Sequence, residues 1–237
     1  MISPANTSLP PVITLDGPSG SGKGTLGQLL AKKLSWHYLD SGATYRILAY
    51  AALQRNVSLE DGPALARLGQ NLDVSFVHNG REKVRIYLTG EDVTQDIRLE
   101  SCGNAASQIA LLPEVRTALL DRQRAFRAWP GLVTDGRDMG TVVFPDAICK
   151  FFIHADPEER ARRRLQQLKK QHVHATVDAI SQDLAQRDTR DKQRQNAPLK
   201  PAADAIVLDT TSLTIEQSLA LIMHHVAIQL HLDESGC

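Results

Sequence analysis

Cysteine is scarce in this chain. Its 237 residues hold three, Cys102, Cys149 and Cys237, and no two of them form a Cys-x-x-Cys pair. That spacing suggests neither a disulfide framework nor a zinc site, and a reducing cytoplasm is the location expected. Charge of either sign is not in excess, with 27 Lys and Arg against 27 Asp and Glu. Broad electrostatic capture of nucleic acid or of an anionic membrane is therefore not expected. Aromatics make up only 5% of the residues, which leaves little material for a base-stacking platform. No apolar stretch approaches the ~20 residues a membrane-spanning helix needs. The first eleven residues lack a basic start and an apolar centre, so they read as a loose tail rather than a secretory signal. No His-Glu-x-x-His set occurs. His172 and His174 flank a valine in a polar loop, and His224-His225 sit on the last helix, so no protein-bound transition metal is expected. Coiled-coil heptads are absent, and a monomer is expected.

What is present is ordinary globular composition, 42% hydrophobic and 23% charged, with a length that suits one core carrying insertions. Apolar runs alternate with helical patterns. Strands are predicted at Val12–Leu15, Trp36–Leu39, Leu132–Thr134, Ile148–Ile153 and Ile206–Leu208. Helices are predicted at 25–34, 45–54, 157–170, 177–191 and 215–230. This alternation predicts an α/β fold, a five-stranded parallel sheet with helices on both faces. Between residues 61 and 104 the rhythm breaks. Val74–Val77 and Val84–Leu88 alternate like hairpin strands, with the turn dipeptide Asn79-Gly80 between them. A small antiparallel insertion, 61–104, into a core formed by 12–60 and 105–237 is the economical reading. The segment 187–201 has few large apolar residues and many charges, and it is expected to be an exposed, mobile lid.

The most informative stretch is Gly17-Pro18-Ser19-Gly20-Ser21-Gly22-Lys23-Gly24-Thr25, placed between the first strand and the first helix. A glycine-rich turn there lets backbone N–H groups wrap a polyphosphate. The lysine adds a mobile ammonium, and the helix start adds its dipole. In the usual form of this loop Ser or Thr follows the lysine; here Gly24 does, and the hydroxyl comes one place later at Thr25. No Gly-x-Gly-x-x-Gly occurs in the segment, which argues against a dinucleotide fold.

Three further groups could receive a second substrate. Ser41 and Arg46 follow the second strand and straddle a predicted helix start, where an anion is favoured; a helix cap and a surface arginine is the plain alternative. Asp135-Gly136-Arg137-Asp138-Met139-Gly140 lies at the C-terminal end of the third strand, where open parallel sheets bind ligands. A capped, solvated turn is the plain alternative. Arg187, Arg190 and Arg194 fall on one face of a predicted helix, and Arg187 can pair with Asp191. Aligned guanidiniums suit a transferring phosphoryl group, although such a run by itself is also the pattern of a solvated helix. Arg160, Arg162, Arg163 and Arg164, preceded by Asp156, Glu158 and Glu159, read as an ordinary charged helix face.

Together these stretches resemble the bacterial-type cytidylate kinases, within the nucleoside monophosphate kinases. The resemblance is carried by 13–20, Gly22-Lys23-Gly24-Thr25, Leu39-Asp40-Ser41-Gly42-Ala43 with Tyr45-Arg46, and Asn104-Ala105-Ala106-Ser107. Asp135 to Thr141, Arg187-Asp188 with Arg190-Asp191, and Ala197-Pro198-Leu199 complete it. It implies a P-loop fold whose insertion binds the monophosphate, and Mg2+-dependent transfer of the γ-phosphoryl group of ATP to CMP and dCMP. Gly17 to Thr25 would hold the ATP phosphates, and Thr25 would hold Mg2+ together with phosphates and water. Ser41, Arg46 and Arg137 would meet the CMP phosphate. Ser107, Arg116 and Asp138 would lie near the cytosine. Arg187, Asp191 and Arg194 would come from the lid, and Lys23, Arg137, Arg187 and Arg194 would stabilise the transferring group. Lid and insertion would close to exclude water.

Two other readings stay open on the residues alone. One is a kinase for UMP, dTMP or a small hydroxylated metabolite. The other is a sensor that holds ATP without turning it over. A GTPase switch is disfavoured, because no Asn-Lys-x-Asp occurs.

Overall fold

The computed structural model describes residues 9–77, 85–170, 173–194 and 196–230. In chain order they form β1 (Val12–Asp16), α1 (Lys23–Leu34), β2 (His37–Asp40), α2 (Ser41–Gln54), α3 (Gly62–Gln70), β3 (Val74–Val77), β4 (Arg85–Leu88), β5 (Glu91–Asp92), α4 (Glu100–Ile109) and α5 (Pro113–Arg124). There follow β6 (Leu132–Gly136), β7 (Cys149–His154), α6 (Pro157–Lys170), α7 (Val177–Gln193), β8 (Ile206–Asp209) and α8 (Ile215–Leu230). The chain divides into two compact units, 1–40 with 124–237, and 41–123. Among the described residues no helix is long and apolar enough to cross a membrane.

The first unit is built on a five-stranded sheet of order β2-β6-β1-β7-β8, parallel at every pairing. Every residue of β1 and β6 is buried, as expected for central strands covered on both faces. Their apolar runs were legible for that reason. β8 lies at the edge and alternates half-buried with exposed positions, so Val207 faces out. On one face of the sheet Ile13, Leu15, Phe151 and Ile153 pack with Leu26 and Leu30 of α1 and with Ile222 and Val226 of α8. Each large aliphatic side chain buried in this way contributes about 1.5–3 kcal/mol. On α6 and α7, Leu168, Ile180 and Leu184 form a smaller cluster of their own.

The second unit packs Ile47 and Leu48 of α2 with Leu65, Ile109, Val115 and Leu119. Its small antiparallel sheet has the order β3-β4-β5, with Val74 opposite Leu88 and Phe76 opposite Ile86. Ile86 and Leu88 are buried, which accounts for the alternation read from the sequence. The expected turn dipeptide Asn79-Gly80 and the first residue of the second predicted strand, Val84, lie outside the described residues. β5 and α3 to α5 were not predicted. α3 has its start set by Asp61, whose carboxylate accepts the N–H of Ala64 at 2.9 Å, and by a proline in its first turn.

Candidate functional site

In the first unit the loop 17–22 joins β1 to α1. Its conformation requires glycine. A Cβ at Gly17 would lie 2.0 Å from the carbonyl oxygen of Ile153, and Gly22, the residue before α1, has φ +94°. The first turn of α1 contains no acidic residue of its own to neutralise the positive end of the helix dipole. Lys23 is 8% exposed and donates to the carbonyl of Pro18 at 3.0 Å. Burial, reinforced by the positive charge of Arg137, lowers its pKa. Ser21 is fully buried, and its Oγ has no hydrogen-bond partner among the described residues. Thr25 is exposed in the first turn. The Gly24 position faces the Tyr38 hydroxyl and the Asp135 carboxylate, 3.7 and 3.8 Å from where a Cβ would stand.

The arginines of α6 are not the plain charged face that their sequence suggested. Arg160, 4% exposed, donates to the carbonyl of Ser19 at 3.1 Å and to both carboxylate oxygens of Asp188 at 3.2 and 2.7 Å. Arg163 donates to the carbonyl of Ser21 at 3.2 Å and to the hydroxyl of Thr210 at 3.1 Å. Two loop carbonyls are thereby turned toward α6. Glu159 accepts from Arg162 and also from Arg163, as an ordinary charged helix face would have it, and Arg164 donates to Gln167 one turn on. A single sequence gives no signal separating these four arginines, because they differ only in what the fold packs against them.

Beneath the loop lies a cluster of acids at the C-terminal ends of the strands. Asp40 and Asp135 are register partners on β2 and β6. The Tyr38 hydroxyl donates to Asp135. Burial and the neighbouring Asp40 push the Asp135 carboxyl well above the ordinary range, while Lys23 opposes the shift. Asp16 accepts the N–H groups of Met139 and Gly140, both at 2.8 Å. Burial still raises its pKa to about 6 despite those two bonds. Asp16 and Tyr38 were missed as site residues. The aspartate ending β1 was a readable cue, since that is where parallel sheets place their ligands.

Arg137 joins this ground to α7. Its Nε donates to Asp191 at 2.6 Å and its Nη2 to the hydroxyl of Ser19 at 2.6 Å. Asp191 also accepts from Arg194. Burial acts to raise the Asp191 pKa, but Arg137 and Arg194 outweigh it and hold the carboxyl below its ordinary range. Two corrections to the sequence reading follow. Arg187 and Asp191 are 6% and 2% exposed, so this part of 187–201 is packed rather than solvated. α7 ends at Gln193, so Arg194 caps the helix instead of continuing the line of Arg187 and Arg190. Asp138, beyond β6, is 4% exposed.

The second unit holds the other predicted residues. α2 begins at Ser41, four residues earlier than its hydrophobic pattern suggested, so Ser41 and Arg46 both lie within its first two turns rather than astride its start. Ser41 is buried, and its carbonyl accepts the Thr44 hydroxyl at 2.7 Å. Arg46 donates to the carbonyl of Ile97 at 3.2 Å. Ser107, on the last turns of α4, has a buried hydroxyl with no hydrogen-bond partner among the described residues. Arg116 is half-buried on α5.

Comparison with known proteins bears on both units. The family model described as cytidylate kinase matches residues 13–228. The cytidylate kinase of Aeromonas salmonicida is 55% identical over 220 residues, 93% of this chain and 95% of that protein. That of Nitrosococcus oceani is 58% identical over 209 residues, covering 87% and 92%. That of Stutzerimonas stutzeri is 57% identical over 219 residues, covering 92% and 95%. The nine-residue loop, the acids at the strand ends and the arginines that meet at Ser19 and Asp191 thus sit in a chain that belongs to the cytidylate kinase family.

Proposed function

We propose that this protein transfers the γ-phosphoryl group of ATP to CMP, with dCMP as a second acceptor, giving CDP or dCDP and ADP. The observation that carries the reading is the bond from Arg137 to Ser19. It holds a guanidinium against the phosphate loop, in the company of the buried ammonium of Lys23. A charge-spread phosphoryl transition state needs fixed positive charge of this kind more than it needs covalent chemistry. Family membership supports the choice of substrates.

In this reading Gly17, Pro18, Ser19, Gly20, Ser21, Gly22, Lys23, Gly24 and Thr25 cradle the ATP phosphates. Ser41, Arg46 and Arg137 bind the CMP phosphate. Ser107, Arg116 and Asp138 read the cytosine, and Arg187, Asp191 and Arg194 complete the acceptor side. Cytosine offers an amine donor beside acceptors, which a carboxylate and a guanidinium match; the orphaned Ser107 hydroxyl is a further polar group awaiting a partner. The acceptor oxygen is ionised at neutral pH, so no strong general base is required. Lys23, Arg137, Arg187 and Arg194 carry the stabilisation. The donors near the start of α1 are oxygens, the Thr25 hydroxyl and the carboxylates of Asp16 and Asp135, which is the set Mg2+ prefers. Thr25 would hold it with phosphates and water, where it would supply neutralising charge for the transfer.

We assign monophosphate binding to the insertion 61–104 and a lid function to 187–201, within a core of 12–60 and 105–237. The protein acts as a cytoplasmic monomer without nucleic-acid or membrane partners. ADP formation from ATP and Mg2+, measured with CMP, dCMP, UMP, AMP and dTMP separately, tests the reading. Stimulation by CMP well above UMP is the expected result. Stimulation by a different monophosphate alone would discard the acceptor assignment, and none at all would discard the kinase.

A further inference from the structure

Both oxygens of Ser19 are taken. Its carbonyl accepts from Arg160 Nη1 at 3.1 Å, and its hydroxyl accepts from Arg137 Nη2 at 2.6 Å. The two arginines diverge from Ser19 and come back together on α7. Arg160 forks onto Asp188 at 3.2 and 2.7 Å, and Arg137 reaches Asp191 at 2.6 Å. Asp188 and Asp191 lie three residues apart, one helical turn, on the same face of α7. The contacts therefore close a ring: Ser19, Arg160, Asp188, the turn of α7, Asp191, Arg137, and Ser19 again.

The ring is sheltered. The Arg160 side chain is 5% exposed and that of Asp188 16%, while Asp191 is 3% and Arg137, the ring's most exposed ionic member, 21% exposed. Ion pairs that are removed from water in this way are screened little, and the Arg160–Asp188 pair is two-pronged, so its geometry is fixed as well as its charge. The loop backbone lies directly on α6 at this point, since a Cβ at Gly20 would stand 3.1 Å from the Cβ of Arg160. A shift of α7 moves both acids, and through the two guanidiniums it moves Ser19 by its carbonyl and its hydroxyl together.

We propose that Arg160 and Asp188 are positioning residues that tie the phosphate loop to α7, so that the two nucleotides bind cooperatively. This rests on the assignment of ATP to the loop and of the CMP phosphate to Arg137. Neither Arg160 nor Asp188 touches a nucleotide in that assignment. An anion on Arg137 competes with Asp191 and Ser19 for its N–H groups, and the remaining link through Arg160 then decides where the loop sits. Occupancy of either site then fixes the loop and α7 for the other through Arg160 and Asp188. The cost of ordering falls once, which is a coupling free energy between sites.

The experiment measures CMP affinity by calorimetry on the full chain, with and without a non-hydrolysable ATP analogue. Wild type is compared with Asp188→Asn, Arg160→Lys and, as a control on the exposed face of α6 outside the ring, Arg162→Ala. Asp188→Asn keeps the shape of the side chain and removes the charged fork. Arg160→Lys keeps the charge, but an ammonium cannot span Ser19 and both oxygens of Asp188. In wild type the analogue is expected to tighten CMP by roughly 5- to 150-fold, the usual span of such coupling. In both ring variants that factor is expected to fall to within about threefold of unity, while Arg162→Ala retains the wild-type factor. A merely structural pair would lower the melting temperature and both affinities yet leave the factor unchanged, and that result overturns the proposal. So does a wild type without coupling. CMP-stimulated ADP formation by wild type is recorded alongside: its absence fails the kinase reading itself, whereas stimulation with an unchanged factor in Asp188→Asn fails only the ring.

Discussion

Lys23 folds back on its own loop, its ammonium 3.0 Å from the carbonyl oxygen of Pro18. The bond keeps a buried positive charge beside the start of α1, whose own first turn carries no acidic side chain. Such a charge is pre-set rather than recruited, and pre-set charge is what lowers a barrier in which negative charge spreads.

Lys23→Ala is therefore expected to reduce kcat by roughly 10²–10³-fold or more, the range found when one such donor is removed. Steady-state ADP release at saturating CMP and ATP measures it. Retention of more than a tenth of the wild-type kcat would remove Lys23 from the catalytic set.

Asp16 predicts a pH dependence of stability. Its folded pKa is raised from 3.8 to about 6, largely by burial, so between those values the native state binds more protons than the unfolded one. Stability from this group is then greatest below about pH 4 and declines as pH rises through 6, by up to about 3 kcal/mol. Urea unfolding of wild type and Asp16→Asn at steps from pH 4 to 7 isolates the effect. The wild-type advantage should shrink with rising pH and level off above about 6.5; a difference independent of pH would refute it.

Gly17→Ala should damage folding before it affects chemistry. The added Cβ meets the carbonyl oxygen of Ile153 at 2.0 Å, and backbone on a central strand cannot move aside cheaply. A loss of roughly 3 kcal/mol or more is expected, read as a fall in the urea midpoint at unchanged slope. Wild-type stability in this variant would mean the loop takes a different path.

Asp138→Ala should lower the preference for CMP over UMP by roughly 10- to 100-fold in kcat/KM, with the KM for ATP within about threefold of wild type. Sites built on hydrogen bonds to a base discriminate because the wrong base leaves buried polar groups unmatched. An unchanged CMP-to-UMP ratio would take the base-reading role away from Asp138.

Most of the first unit could be read from the chain. β1 and β6 are buried throughout, so apart from the β-branched Thr14 and Thr134 they carry no polar residue before Asp16 and Asp135 near their ends. α6 and α8 begin and end where their patterns do, from Pro157 to Lys170 and from Ile215 to Leu230. Periodicity failed where an element's start depends on burial rather than on pattern. Ser41 opens α2 with polar and small residues, Ser41-Gly42-Ala43-Thr44, that give no amphipathic signal, yet Ser41 and Thr44 are both buried.

The candidate site divides along the same line. The nine residues from Gly17 to Thr25 are contiguous, and their chemistry follows from glycine conformations, a lysine and a helix start, all of which are local; the sequence determined them by itself. Strand order, and with it the meeting of Asp40, Asp135 and Tyr38 beneath Lys23, required distant segments to pair. Only the tertiary structure decided which arginines of α6 serve the loop, because Arg160 and Arg163 reach the carbonyls of Ser19 and Ser21 whereas Arg162 and Arg164 bond Glu159 and Gln167 of their own helix, and the four do not differ in chemistry. It also decided that Asp191 binds Arg137, 54 positions away in the chain, as well as its neighbour Arg194. A carboxylate's best partner is set by which guanidinium the packing leaves within reach and out of water, and sequence spacing does not encode that distance.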